Sequence, residues 1–294
     1  MYIAAYLNSR GLFQRTGGWM VQPGVNSQSR HFAVLLQRAS QILFHLEQSE
    51  QLKVSATEQF AAHLRNEPSL PESLHAWSPI VSGLIIELSG ALAALRVMQN
   101  DAWGLISAIT GLRDTPTSYR EAYTKFVRDY GKGNKKPKWL NGFDEEIRKL
   151  LVDYWKYSGG NLADYRDVDQ HFDVLARGAI YLPEREGRAR LSIQLPDNPE
   201  VKSRGRFTYM KSVDASELAL SGFRSLHGLI EQIAEIRGAP MRPLQQMWEF
   251  NPPIQHQPDV SSITAITLND VQGEMGFLLG HNENMQVTIK AINL

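Results

Sequence analysis

The chain has 294 residues, 43% hydrophobic and 21% charged, with 31 Lys and Arg against 31 Asp and Glu. These are globular proportions for one large or two modest domains, and a net charge of zero argues against coating nucleic acid through bulk charge while leaving a local basic groove open. The lack of cysteine rules out disulfides, cysteine zinc sites and thiol nucleophiles.

In chain order, MYIAAYLNSR has no basic start before a long apolar run, so no signal peptide is expected and a cytoplasmic location fits. Gly17-Gly18 and Pro23-Gly24 are turn signals, giving a short strand or helix and then loop. Phe32, Leu35, Leu36, Ala39, Leu43 and Leu46 recur at helical spacing and predict a helix over 31–50. A second helix is predicted over 55–66, closed by Pro68 and Pro71. The strongest helix falls at 80–100, where Ser82, Gly83, Ser89, Gly90, Ala91, Ala93 and Ala94 let a neighbour approach closely. Residues 79–98 form the most apolar segment, but Glu87, Arg96 and the helical period favour a buried helix over a membrane span.

A helix over 116–130 leads to the basic loop GKGNKKPKW, and another covers 143–157 with Asp144, Glu145 and Glu146 at the positive end of its dipole. Gly159-Gly160 is expected to end that helix, with Asn161 or Asp164 capping the next. RARLSIQL and RFTYM alternate and predict a hairpin, and Asp214 starts a helix to about Arg237. Residues 239–258 are proline-rich, and the tail carries strand patterns with turns near Asn269-Asp270 and 281–284.

Within this frame stands YRDVDQHF, residues 165–172. At roughly 100° per residue, Arg166 shares a helix face with Gln170 and Asp167 with His171, while Arg166 and His171 are offset by about 140°. A carboxylate one turn before a histidine can hold the ring in one tautomer and favour its protonated form. Arginine with an oriented histidine suits RNA cleavage. Histidine moves the proton of the attacking 2′-hydroxyl, and the planar guanidinium grips phosphate and stabilises the developing charge. The alternative is a solvated polar helix face.

RDVDQH resembles the signature of the HEPN superfamily: arginine, a polar residue, a few variable residues, then histidine, at a helix start in an all-α bundle. The resemblance implies a HEPN-like helical bundle; with the strand patterns read above, the expected fold is mainly α, α+β overall, with an inserted β-hairpin near 188–211 and a small β-rich C-terminal addition. It covers residues 80–237, leaving 1–79 as an N-terminal helical extension and 238–294 as a proline-rich linker and β-rich tail. HEPN proteins are typically homodimers whose motifs face each other, and many are metal-independent ribonucleases of toxin–antitoxin or defence systems. Arg166 and His171 would then be the catalytic pair and Asp167 the polar residue, where many members carry asparagine. The preceding LLVDYWKYSGG fits the same layout. The implied partners are an RNA substrate, a second copy of the chain, and an antitoxin or partner protein. No membrane, cofactor or metal is expected. A non-catalytic dimerisation or binding module of the same type is the other function considered.

Glu87 could support the site by pairing with Arg166 or a histidine, or be a carboxylate bonded at a helix interface. Gln170 is a second candidate support, and Arg96 reads as a helix-end charge. Lys132, Lys135, Lys136 and Lys138 beside Tyr130 and Trp139 suit RNA binding, since lysine contacts phosphate and aromatics stack on bases; a solvated loop is the alternative. His31, His45, His63 and His75 have no metal spacing, and the P-loop, HExxH, GxSxG and Rossmann patterns are absent.

Overall fold

Helix α1 spans Gln14–Met20, α2 Ser29–Arg65, α3 Leu70–Ile109, α4 Tyr119–Val127, α5 Glu145–Tyr154, α6 Gly160–His171 and α7 Ala215–Ile236. The computed structural model describes residues 7, 10–20, 29–65, 70–130, 135–141, 143–171, 179–183, 189–201, 204–211, 213–241, 265–269, 274–278 and 291–293. The protein is mainly helical, with small antiparallel sheets.

α2 and α3 are the frame. The predicted helices over 31–50 and 55–66 are one helix, and the predicted helix over 80–100 runs from Leu70 to Ile109. Pro79 removes one amide donor from α3 without ending it, so the expected boundary at residue 79 lies inside a helix. The pair is antiparallel. His31 sits against Gly104, His45 against Gly90 and Leu52 against Gly83. Arg38 lies 3.7 Å from Asp101 in the same seam. The α2 members 31, 38, 45 and 52 recur every seven residues, the period of a left-handed helix pair. A Cβ on Gly90 would lie 2.8 Å from His45 Cε1, so glycine there permits the approach. Phe32, Leu35, Leu36, Ala39, Leu43 and Leu46 are all buried, as their spacing predicts.

α4 and α5 are shorter than their predicted ranges and are fixed by caps. Ser118 accepts from the Glu121 amide, and Asp144 from the amides of Glu146 and Ile147. The expectation that Gly159-Gly160 ends a helix is overturned. α5 passes through a π-helical turn, Trp155–Gly159, directly into α6. The two glycines serve close packing instead. A Cβ on Gly159 would lie 2.6 Å from Tyr154 Cε1 and 3.2 Å from Gln99 Nε2. Asn161 and Asp164 therefore lie within the first turns of α6 rather than ahead of a new helix.

The hairpin is also placed differently from expectation. Strand β1, Ala179–Pro183, pairs with β2, Ala189–Leu195, and β2 pairs with β3, Val213–Asp214. RFTYM is not its partner. Thr208 instead accepts from the Asp197 amide, and Asn198 Oδ1 accepts from the Thr208 amide. α7 starts at Asp214 as predicted, and Asp214 is its cap, accepting from the amides of Ser216 and Glu217. Strands β4, Ala265–Asn269, β5, Glu274–Leu278, and β6, Ala291–Asn293, form a second antiparallel sheet. The proline-rich stretch from residue 242 lies outside the described residues.

Among the described residues, one helical stretch, Pro79–Ile109, is long and apolar enough to cross a membrane by length and composition, an 18-residue window of it having mean hydropathy 1.8. Leu84, Leu88, Leu95, Met98, Trp103 and Ile106 from it are buried in the bundle core.

Candidate functional site

The site lies where α6 crosses α3 beside the start of α4. α3 and α6 run antiparallel. Gln99 Nε2 donates to the Gly159 carbonyl at 3.0 Å near one end of α6, and Ser89 hydrogen-bonds Asp169 near the other. Gln99 is fully buried and also meets the Tyr154 hydroxyl at 3.0 Å. A π-helical turn carries one extra residue and so rotates the downstream helix about its axis, and this anchor helps set which side of α6 faces α3. Val168, Tyr165 and Leu162 point into the core, and Tyr165 donates to the Pro196 carbonyl at 2.6 Å.

Opposite that core face, two arginines bond one carboxylate and a third stands near them. Arg166 Nη1 donates to Asp167 Oδ1 at 3.1 Å, and Arg120 Nη1 reaches Asp167 Oδ2 at 3.4 Å. Arg96, from the middle of α3, is the third. Its guanidinium lies 5.7 Å from the centroid of the Trp155 ring and donates to Gln99 Oε1 at 3.1 Å and Asn100 Oδ1 at 3.3 Å. Burial lowers the Arg96 pKa, Asp167 opposes that, and the charges of Arg166 and Arg120 add to the lowering. Arginine stays charged through such shifts, so the cluster holds three cations against the Asp167 carboxylate. Trp155 is held in turn by Tyr119, stacked at 5.5 Å, and Tyr123 at 5.7 Å.

A half-buried group of guanidiniums on a rigid helical frame is suited to a phosphate or another oxyanion, which can take bidentate bonds from each planar fork. The carboxylate already present shows the geometry such a group would meet.

The predicted residues divide. Arg166 and Asp167 stand together in this cluster. Asp167, expected to orient His171, has each carboxylate oxygen bonded to a guanidinium. Position 171 closes α6 one turn beyond 167 on the same helix face; the side chains of Gln170 and His171 lie outside the described residues. Glu87 belongs to the other side of α3, with Oε2 2.8 Å from His45 Nδ1 across the α2–α3 seam. This is the helix-interface bond weighed for it, and His45 is a satisfied histidine. His63 and His75 lie outside the described side chains.

Lys135, Lys136 and Lys138 are exposed, and Lys132 lies outside the described residues. Trp139 does not stand ready to stack on bases. Its ring packs edge-on against Trp103, Phe126 and Phe143. Tyr130 donates to the Lys125 carbonyl at 3.0 Å.

Arg96 and Arg120 are not legible as site residues in the sequence. Arg96 is no helix-end charge, because α3 continues thirteen residues beyond it to Ile109. A cation amid an apolar run was the signal that could have marked it. Arg120 gave no signal, since its role depends on where α4 lies. No protein-family model, no curated protein and no solved structure matches the chain.

Proposed function

We propose that this protein is a HEPN-like helical ribonuclease that cuts RNA without a metal, using Arg166 and His171. His171 moves the proton of the attacking 2′-hydroxyl and protonates the leaving oxygen. Arg166, with Arg96 and Arg120 beside it, holds the phosphate and stabilises the charge that grows on its oxygens. Asp167 keeps the guanidiniums in place while the site is empty and orients His171 when substrate displaces it. The reading carries with it a homodimer in which two such motifs face each other, a cytoplasmic location and a role in toxin–antitoxin or anti-phage defence.

What supports it is one observation: Arg166 and Arg120 both bond Asp167, one helical turn before position 171, and Arg96 stands close enough to feel the charges of all three. A solvated polar helix face would spread its charges into water rather than draw a cation from α4 onto a carboxylate of α6.

The test is cleavage of transfer RNA and total RNA in the presence of EDTA by the wild type, Arg166→Ala and His171→Ala. The expected outcome is cutting by the wild type and loss of roughly a hundredfold or more in either variant, with unchanged circular dichroism. Full activity in both variants would sink the proposal. No cutting by the wild type would move the weight to a non-catalytic binding module.

A further inference from the structure

At the end of α4 away from Arg120, two adjoining cavities of about 490 and 630 Å³ open between the α4 C-terminus and the start of α5. Phe126, Arg128, Asp129, Glu145 and Arg148 line both, so they form one groove. Lys125, Lys136, Tyr130 and Phe143 complete the smaller part, and Lys149 and Glu146 add to the larger.

The charge of this region departs from that of the chain. Residues 125–149 carry eight Lys and Arg against four Asp and Glu, whereas the whole chain is neutral. Two of the acids have local duties. Asp144 caps α5, and Glu145 is bonded to Arg148, which lowers the Glu145 pKa. Asp129 and Glu146 remain on the walls. Among the described residues, Lys125, Lys135, Lys138 and Lys149 make no ion pair. Phe143 and Tyr130 give the smaller cavity an aromatic wall, with Phe143 braced on Phe126 at 5.1 Å.

α4 connects this groove to the arginine cluster. Arg120 and Lys125 are separated by about 7.5 Å along the helix axis, and Arg120 and Arg128 by about 12 Å, at 1.5 Å per residue. A stacked strand advances about 3.4 Å per nucleotide, so two to four nucleotides cover the axial separation, with the strand also passing around α4 because positions 120 and 125 are offset by about 140°. Cations tracking a backbone beside an aromatic wall are the chemistry of single-strand binding.

We propose that this groove holds the backbone of single-stranded RNA that leads away from the arginine cluster, with Lys125, Arg128 and Lys136 on its phosphates. The choice of RNA as occupant rests on the ribonuclease reading, and the groove is tested apart from cleavage.

The probe is a fluorescein-labelled 2′-O-methyl 12-mer, which has no 2′-hydroxyl to attack its phosphates. Binding to the full chain is followed by fluorescence anisotropy from 50 to 200 mM salt. The Lys125→Gln/Lys136→Gln double variant is expected to bind roughly tenfold more weakly at 100 mM salt, with a log–log salt slope shallower by about 1.4. Arg224→Gln, on exposed α7 surface, should bind as the wild type does. Equal affinity and slope in the double variant and the wild type would overturn the groove, as would a wild type that fails to bind at 50 mM salt. A wild type that binds the probe through these lysines yet leaves unmodified RNA whole fails the ribonuclease reading and leaves the groove standing.

Discussion

The Gln99 amide donates to the Gly159 carbonyl across 3.0 Å of fully buried interface, and the same nitrogen meets the Tyr154 hydroxyl. One side chain from mid-α3 thus fixes the π-helical turn that aims α6. Gln99→Leu keeps the volume and strands both buried groups, each at about 1–3 kcal/mol. The expected result is a loss of roughly 2–4 kcal/mol in urea unfolding; an unchanged midpoint would show that the turn does not depend on this bond.

Arg96 bears on both stability and function. Its burial and its two cationic neighbours disfavour the charge, but it donates to Oε1 of the fully buried Gln99. Arg96→Met strands that oxygen and should cost about 1–3 kcal/mol in urea unfolding while lowering RNA cleavage by roughly tenfold or more. Cleavage at the wild-type rate would remove Arg96 from the phosphate site.

Stability should fall below neutral pH through His227. The Phe13 amide donates to its Nε2 at 3.0 Å, so that nitrogen carries no proton. Burial holds the pKa below its usual value of about 6.5, with Glu231 opposing. Between the lowered value and about 6.5 the unfolded chain binds more protons than the folded one. Stability from this group is therefore complete above about pH 6.5 and lost as pH falls. Urea midpoints at pH 7.5 and 5.5 should differ in the wild type and differ less in His227→Gln, whose amide oxygen can still accept from Phe13. An equal difference in the two proteins would assign the pH dependence elsewhere.

Asp214 and Lys53 form a buried charge pair, Nζ to Oδ1 3.6 Å, with side chains 2% and 6% exposed. Asp214 also accepts from Ser192 at 2.5 Å while capping α7. Asp214→Ala leaves a buried ammonium and an uncapped helix, and should cost about 3–5 kcal/mol. Lys53→Met in the same background should cost less than the two single changes together. Strict additivity in that double-mutant cycle would mean the two charges do not stabilise each other.

The helices were legible because their apolar spacing is local. Phe32 to Leu46 declare one face, and Asp214 marks the start of its helix; Asp144, expected inside its helix as an early acidic residue, is instead the cap just ahead of it. The joins were less legible. Gly159-Gly160 has the composition of a helix stop, and its use as a close-packing turn depends on Gln99 and Tyr154, which lie elsewhere in the chain. RARLSIQL alternates like a strand, but alternation names no partner, and the pairing went to residues 179–183 rather than to RFTYM.

A helical protein without thiol chemistry, with an Arg–Asp–His stretch on one helix and a lysine-rich loop, can be read from the chain alone. Each of those comes from residue identity and short-range spacing. The crossing of the helices brought Arg120 to Asp167 with Arg96 nearby, gave Glu87 to His45 and packed the half-buried Trp139 against the core. Those outcomes depend on how long helices cross, and crossing is set by the summed packing of many distant side chains, which no local pattern records.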